Sequence, residues 1–210
     1  MIKAIVFDFG GVLLRTEDRT GRQQWETRLG LGARELDQLV FESDAAHRAT
    51  LGAAPASAVW ESVALALKLS DEQIDTLRRD FWSGDRLDHN LVALLAALRP
   101  AYQTAILSNA WPDARELIGA TYGLAPVVDT LFISAEEHLS KPDLRLYQRV
   151  AERLDVAPEA IVLVDDFLTN IEGARAAGWH TIHFQAGLDV RAELSQLGVE
   201  APSAPIQKEQ

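Results

Sequence analysis

Apolar residues along this chain fall into short unbroken runs and longer stretches at helical spacing. Ala4-Ile5-Val6-Phe7 is one such run, closed by Asp8, Gly10 and Gly11. It predicts a buried strand that ends in a turn, since aspartate and glycine break the run where the chain must change direction. The runs at 104–107 and 161–164 repeat the pattern. The one at 180–184 is a weaker version, and Leu131-Phe132-Ile133 predicts a further edge or inner strand. Unbroken apolar runs belong to strands covered on both faces, the situation of a parallel sheet.

Helical spacing fills the intervals. Residues 91–98 predict a helix stopped at Pro100. Leu146, Tyr147, Val150 and Leu154 recur at helical spacing behind Asp143, a natural N-cap. A small-residue helix at 171–177 ends at Gly178, placed as a C-cap. Strand and helix in alternation predict an α/β fold with a parallel sheet.

One region breaks the alternation. From about Thr16 to Trp82 no strand-like run occurs. Trp25, Leu29, Leu36, Leu39 and Val40, then Val59, Trp60, Val63 and Leu67, then Ile74, Leu77 and Phe81 follow helical periods, with breaks at 30–32 and 51–55. The expected organisation is a core of residues 1–15 and 87–201 and an all-helical insertion at 16–86. A polar tail with two prolines at 202–210 is expected to be flexible.

Composition narrows the function. A chain of 210 residues, 48% hydrophobic, buries roughly 70% of its unfolded surface and builds a real core. The absence of cysteine removes disulfides, thiolate metal sites and cysteine nucleophiles. A formal charge of −11 repels a phosphate backbone, so nucleic acid is not an expected partner. The longest apolar segment, 91–98, is far short of the ~18 residues of a membrane span. Asp8 interrupts the N-terminal run where a signal peptide would continue. A cytoplasmic protein with no membrane partner is expected.

Four groups carry candidate chemistry: Asp8, Ser108, Lys141 and the pair Asp165-Asp166. Each alone has an ordinary reading. Asp8 could serve a turn, Ser108-Asn109 a turn, and Lys141-Pro142-Asp143 the start of a helix. Two adjacent acids at the end of an Ile-Val-Leu-Val run are harder to place without a partner. The carboxyl ends of parallel strands share one edge, so these distant groups converge there. Carboxylates meeting at one point repel unless a cation lies between them, and an all-oxygen donor set suits Mg²⁺. A lysine and a hydroxyl facing the same point suit an anion. Together they describe a phosphoryl site.

The motifs Asp8-Phe9-Gly10-Gly11-Val12-Leu13, Leu107-Ser108-Asn109, Ser140-Lys141-Pro142-Asp143 and Val164-Asp165-Asp166-Phe167-Leu168-Thr169-Asn170, with Gly173-Ala174 and Gly178-Trp179, resemble those of the haloacid dehalogenase-like hydrolase superfamily. The resemblance spans almost the whole chain. It is greatest to the subgroup with a small helical cap that includes the N-terminal phosphatase domain of soluble epoxide hydrolase and small sugar-phosphate phosphatases. It implies a Rossmann-like parallel sheet core with an inserted all-helical cap, and a Mg²⁺-dependent hydrolase of small phosphomonoesters. By the same resemblance Asp8 is the nucleophile that becomes an aspartyl-phosphate. Asp8, the Gly10 carbonyl and Asp166 hold the metal. Ser108 and Lys141 bind the phosphoryl group, Asp165 orients Lys141 or a metal-bound water, and the amides of Phe9, Gly10 and Asn109 cradle its oxygens.

One departure matters. Phosphatases of this superfamily usually carry a second aspartate two positions after the nucleophile, where this chain has Gly10. Glycine offers a carbonyl to a metal but no proton to a leaving group. Three readings stay open: another acid, such as Glu17, Asp18 or a cap residue, takes over; the substrate has a good leaving group; or turnover is slow or absent. The last leads to a rival function, a non-catalytic module that binds a phosphorylated ligand. A second rival is a metal-independent 2-haloacid dehalogenase, but that branch has neutral residues where this chain has Asp165-Asp166. A receiver domain needs its paired acids at the first strand, and the kinase-like Asp8-Phe9-Gly10 lacks a preceding nucleotide-binding strand. His180 and His183, three apart in a strand, face opposite ways and are not expected to share a metal. Trp111 is read as packing. The expected partner is a small phosphorylated metabolite, and the expected state is a monomer or homodimer.

Overall fold

Strand β1 (Ala4–Phe7) explains why its residues are all apolar: Ala4 and Val6 project to one face of the sheet, Ile5 and Phe7 to the other, and all four are fully buried. The computed structural model describes residues 1–201, so the tail expected at 202–210 lies outside the described residues. After β1 come β2 (Leu14–Thr16), the helices α1 (Thr20–Leu29), α2 (Glu35–Phe41), α3 (Asp44–Thr50), α4 (Ala56–Leu67) and α5 (Asp71–Trp82), and then β3 (Asp85–Leu87). The chain continues through α6 (His89–Leu98), β4 (Gln103–Ser108), α7 (Ala114–Glu116) with a π-helical turn, β5 (Thr130–Ile133), α8 (Ser134–Glu137) and α9 (Leu144–Leu154). It ends with β6 (Ile161–Asp165), α10 (Leu168–Ala176), β7 (His180–His183) and α11 (Val190–Gln196).

The main sheet has the order β5-β4-β1-β6-β7 and every pairing in it is parallel. Helices α9 and α10 cover one face through Leu146, Tyr147, Val150 and Ala174, and α6 and α11 cover the other through Leu91, Leu95 and Leu194. The fold is therefore α/β and Rossmann-like. Chain order reverses at β1, with β4 on one side and β6 on the other. The ends of these three neighbouring strands carry Asp8, Ser108 and Asp165. Adjacent strands lie ~4.8 Å apart, so the three groups meet at the switch point where ligands of open α/β sheets bind.

Helices α1–α5 form a cluster with its own core of Trp25, Leu36, Val40, Val59, Trp60, Val63, Leu77 and Phe81. Gly30, at φ 69°, caps α1 at the break expected from the sequence. Ser70 and Gln73 close a capping box that starts α5. The cluster is joined to the sheet by β2 and β3, an antiparallel two-stranded ribbon. Three-residue strands are too short to leave a period in the sequence. The ribbon carries polar ties instead: Thr16 Oγ1 donates to Asp85 Oδ1 at 2.7 Å, and Arg22 Nη2 reaches the same oxygen at 3.0 Å. Helix α11 also leaves little trace in the sequence, since it buries only Val190 and Leu194. Among the described residues no helix is long and apolar enough to cross a membrane.

Two seams fasten the helical cluster to the sheet. Trp111, carried by the loop after β4, stacks among Phe41, Trp60 and Trp82 of the cluster with ring centroids 6.3–6.4 Å apart. Its role is packing, as the sequence suggested. On the other seam, buried Ser134 donates its hydroxyl to Thr50 O at 2.8 Å and accepts from Ala110 N–H at 2.9 Å. Gly52, at φ +71°, lies against the start of α8 so closely that a Cβ there would come within 2.1 Å of Ala135 O. Alanine at this position is strained both by its φ and by backbone contact. Gly52→Ala is expected to lower the melting temperature by several degrees, at about 2–4 °C per kcal/mol for a domain of this size, measured by calorimetry.

Candidate active site

The site is built on the ends of β1, β4 and β6 and on the loop before α9. Asp8 follows β1 and is buried; its Oδ1 accepts the Phe9 N–H at 2.7 Å and pairs with Lys141 Nζ at 2.9 Å. No hydrogen bond to Asp8 Oδ2 is found among the described residues. Lys141 is almost wholly buried and divides its ammonium between Asp8 and Asp165, whose Oδ2 lies 2.6 Å away. Asn109 holds the lysine's peptide from both sides: its Nδ2 donates to Lys141 O at 2.9 Å and its Oδ1 accepts Lys141 N–H at 2.8 Å. Ser108 is buried at the end of β4, beside Ile133 in the register.

Asp165 is fully buried and saturated. Besides the lysine it accepts Phe167 N–H at 2.9 Å and Asn170 Nδ2 at 3.0 and 3.2 Å. Asn170 is itself held by the Tyr147 hydroxyl, which donates to its carbonyl at 2.9 Å. Asp166 is the opposite case. Its Oδ1 is buried with no hydrogen-bond partner. Carboxylate oxygens of Asp8, Asp165 and Asp166 all lie within 4.8 Å of one another. Three carboxylates against one ammonium leave two negative charges in excess when all are ionised. A hard divalent cation fits both the excess charge and the unpartnered oxygen, and Asp8 and Asp166 are the carboxylates with oxygens to spare.

The electrostatics follow. Burial pushes the Asp8 carboxyl up to about 7; Lys141 opposes this and the neighbouring acids add to it. Burial would push Lys141 down, but Asp8 and Asp165 outweigh it and hold the ammonium above its ordinary value. Asp166 is raised by burial and then by Asp165.

The two glycines after the nucleophile differ. A Cβ on Gly10 would meet nothing within 4 Å. Gly11 has φ +86°, and a Cβ there would lie 2.2 Å from Asp166 Oδ2. Gly11 is what allows the β1 loop to close on the carboxylate. The Phe9 amide, expected to face a ligand, is engaged by Asp8 Oδ1, and the Phe9 ring is buried edge-on to Tyr122 with centroids 5.5 Å apart. Asp18 Oδ1 accepts Thr20 N–H at 2.8 Å just ahead of α1, and Glu17 follows the ribbon strand β2, its carboxylate 3.9 Å from Arg15 Nη2. The sequence places Gly11 in a turn, Tyr147 on a helix face and Asn170 in a motif, and gives none of them a role in the site. The one available signal was Asn170, five residues beyond Asp165 and so able to fold back from the first turn of α10. His183, which was not expected to contribute, contacts the Asp166 carbonyl with Nε2 at 3.0 Å.

Residues 2–178 match the haloacid dehalogenase-like hydrolase family, and the chain belongs to it. It is 27% identical over 197 residues to a sesquiterpene phosphatase of Aspergillus oryzae, covering 93% of this chain and 96% of that relative. It is 30% identical over 191 residues to an (S)-2-haloacid dehalogenase of a Pseudomonas strain, covering 86% and 83%. A haloacid dehalogenase-family enzyme of Bacteroides thetaiotaomicron, solved with magnesium and inorganic phosphate, superposes with a TM-score of 0.76 at 18% identity, over 92% of this chain and 99% of that one.

A carboxyl raised in the folded state loses stability for the protein as pH climbs from its unfolded value through its folded one. For Asp8 that window runs from about 4 to about 7. Asp8→Asn removes the loss. Without divalent cations the wild type is expected to lose several degrees of melting temperature relative to the variant between about pH 5 and pH 8, whatever offset the loss of the Lys141 pair sets. Melting curves across that range in chelator check this.

Proposed function

We propose that this hydrolase removes a phosphoryl group from a small phosphorylated metabolite through an aspartyl-phosphate on Asp8. The observation that carries the reading is a buried ammonium and three converging carboxylates, one of them with an unpartnered oxygen, at the switch point of the sheet. Magnesium held by Asp8, Asp166 and the Gly10 carbonyl would neutralise phosphoryl oxygens and the excess charge of the acids. The magnesium and phosphate in the Bacteroides enzyme and the phosphatase activity named for the Aspergillus relative support this.

The chain's own residues divide the work. Asp8 Oδ1 is fixed by Phe9 N–H and Lys141, which leaves Oδ2 to attack phosphorus as the bond to the leaving oxygen breaks. Lys141 offsets negative charge on the transferred group, and Ser108 with the Asn109 and Gly10 amides binds its oxygens. Asp165 keeps the lysine in place. Water then attacks the phosphorus of the aspartyl-phosphate, releasing inorganic phosphate and restoring Asp8. The helices α1–α5 act as a cap that shields the site and sets specificity. The setting is cytoplasmic, as a monomer or homodimer.

Gly10 leaves the departing oxygen without the proton donor usual at that position, which favours substrates whose leaving group needs none. It also favours a second reading, a non-catalytic module that binds a phosphorylated ligand. The Pseudomonas relative raises a third, dehalogenation, against which the adjacent acids Asp165 and Asp166 weigh because they call for a cation.

Asp8→Asn is expected to abolish Mg²⁺-dependent phosphate release, and turnover retained in that variant would defeat the mechanism. In Gly10→Asp the added Cβ meets nothing within 4 Å. The substitution is expected to raise kcat on alkyl phosphates by about 10²-fold, while p-nitrophenyl phosphate, with its good leaving group, gains little. Equal gains on both substrates would show that proton transfer was not the missing step.

A further inference from the structure

The β6–β7 pairing runs out at Asp165, opposite His183. The last backbone bond of this edge goes from Phe184 N–H to Asp165 O at 2.8 Å. The next carbonyl, Asp166 O, has passed beyond the ladder. The His183 side chain takes it over: Nε2 lies 3.0 Å from Asp166 O. Because a carbonyl only accepts, Nε2 carries the hydrogen of this bond. The imidazole thus extends the sheet by one hydrogen bond at the residue whose carboxylate has an unpartnered oxygen.

Apart from its own backbone N–H, little else fixes the Asp166 carboxylate. Its Oδ1 is unpartnered, and the other side of the carboxylate is bounded by the Gly11 backbone. The peptide that follows is therefore a second handle on where the carboxylate points. Phe167, beyond it, is tied by its own N–H to Asp165 Oδ1. With Phe167 N–H and Asp166 O both held, that peptide plane cannot turn.

We propose that His183 is a positioning residue for the cation site: its hydrogen bond to the Asp166 carbonyl sets the aim of the Asp166 carboxylate and thereby the affinity for Mg²⁺. The proposal rests on the reading of Asp166 as a metal ligand. Outer partners of metal ligands typically change affinity by about 10–100-fold. Nothing in it requires the imidazole to touch the substrate or to change protonation state.

The test is Mg²⁺ titration of the whole protein, read by isothermal calorimetry and by the Mg²⁺-induced rise in melting temperature, for wild type, His183→Leu, His183→Gln and Asp166→Asn. His183→Leu is expected to weaken Mg²⁺ binding by about 10-fold or more, with kcat at saturating Mg²⁺ close to wild type. His183→Gln, whose amide can donate to the same carbonyl, is expected to restore most of the affinity. Asp166→Asn checks the underlying reading. If it binds Mg²⁺ like the wild type, or if the wild type does not bind at all, that reading fails and the proposal falls with it. If Asp166→Asn loses Mg²⁺ but His183→Leu keeps it, even with a lower melting temperature in chelator, the histidine only closes the sheet edge and the proposal alone is overturned. Equal loss in the leucine and glutamine variants would also overturn it.

Discussion

The architecture of the site depends on burying the Lys141 ammonium. Taking a charge of this kind out of water costs several kcal/mol, and only close, well-directed partners offset it. Asp8 and Asp165 supply them at 2.9 and 2.6 Å. The lysine comes from the loop before α9, Asp8 from β1 and Asp165 from β6, so one ammonium ties three distant segments of chain to a single point. Asp165 in turn is kept in place by Asn170 and the Phe167 amide, and Asn170 by Tyr147. Each polar group in this chain of contacts has its partner, as a buried network requires.

The contrast between the adjacent acids follows from that constraint. Asp165 spends its lone pairs on protein donors and serves structure and charge balance. Asp166, one residue beyond the sheet, points an oxygen where the protein supplies no donor. The two glycines after Asp8 divide in the same way. Gly11 is required by close approach to Asp166, whereas a Cβ on Gly10 would meet nothing within 4 Å. Structure and chemistry therefore alternate residue by residue along two short loops.

The helical cluster is held to this platform by the β2–β3 ribbon, the aromatic seam at Trp111 and the contact of Gly52 and Thr50 with α8. Trp111 follows Asn109 by two residues, so the loop that positions the Lys141 peptide also carries the ring that packs into the cluster. The buried Arg22, shared between Asp37 and Asp85, links α1 and α2 to the ribbon in the same fashion.

The amino-acid sequence by itself determined the strands of the sheet, because residues such as Ile5 and Val6 are buried on opposite faces and leave an unbroken apolar run. It determined α9 through periodic apolar positions behind Asp143, which caps it by accepting the Arg145 N–H, α6 through an apolar stretch stopped at Pro100, and most of α10 through a small-residue stretch ending at Gly178. It also brought Asp8, Ser108 and the acid pair to one edge, since parallel strands end together, while Lys141 reaches that edge from the loop before α9. Tertiary structure alone decided the rest. The ribbon residues 14–16 and 85–87 are too few to carry a period, and Phe9 turned its amide to Asp8 because a buried carboxylate takes the nearest donor. Gly11, Asn170 and His183 acquired their places only when separate strands and helices met. Their effects depend on distances of a few ångströms between segments that a linear pattern does not encode.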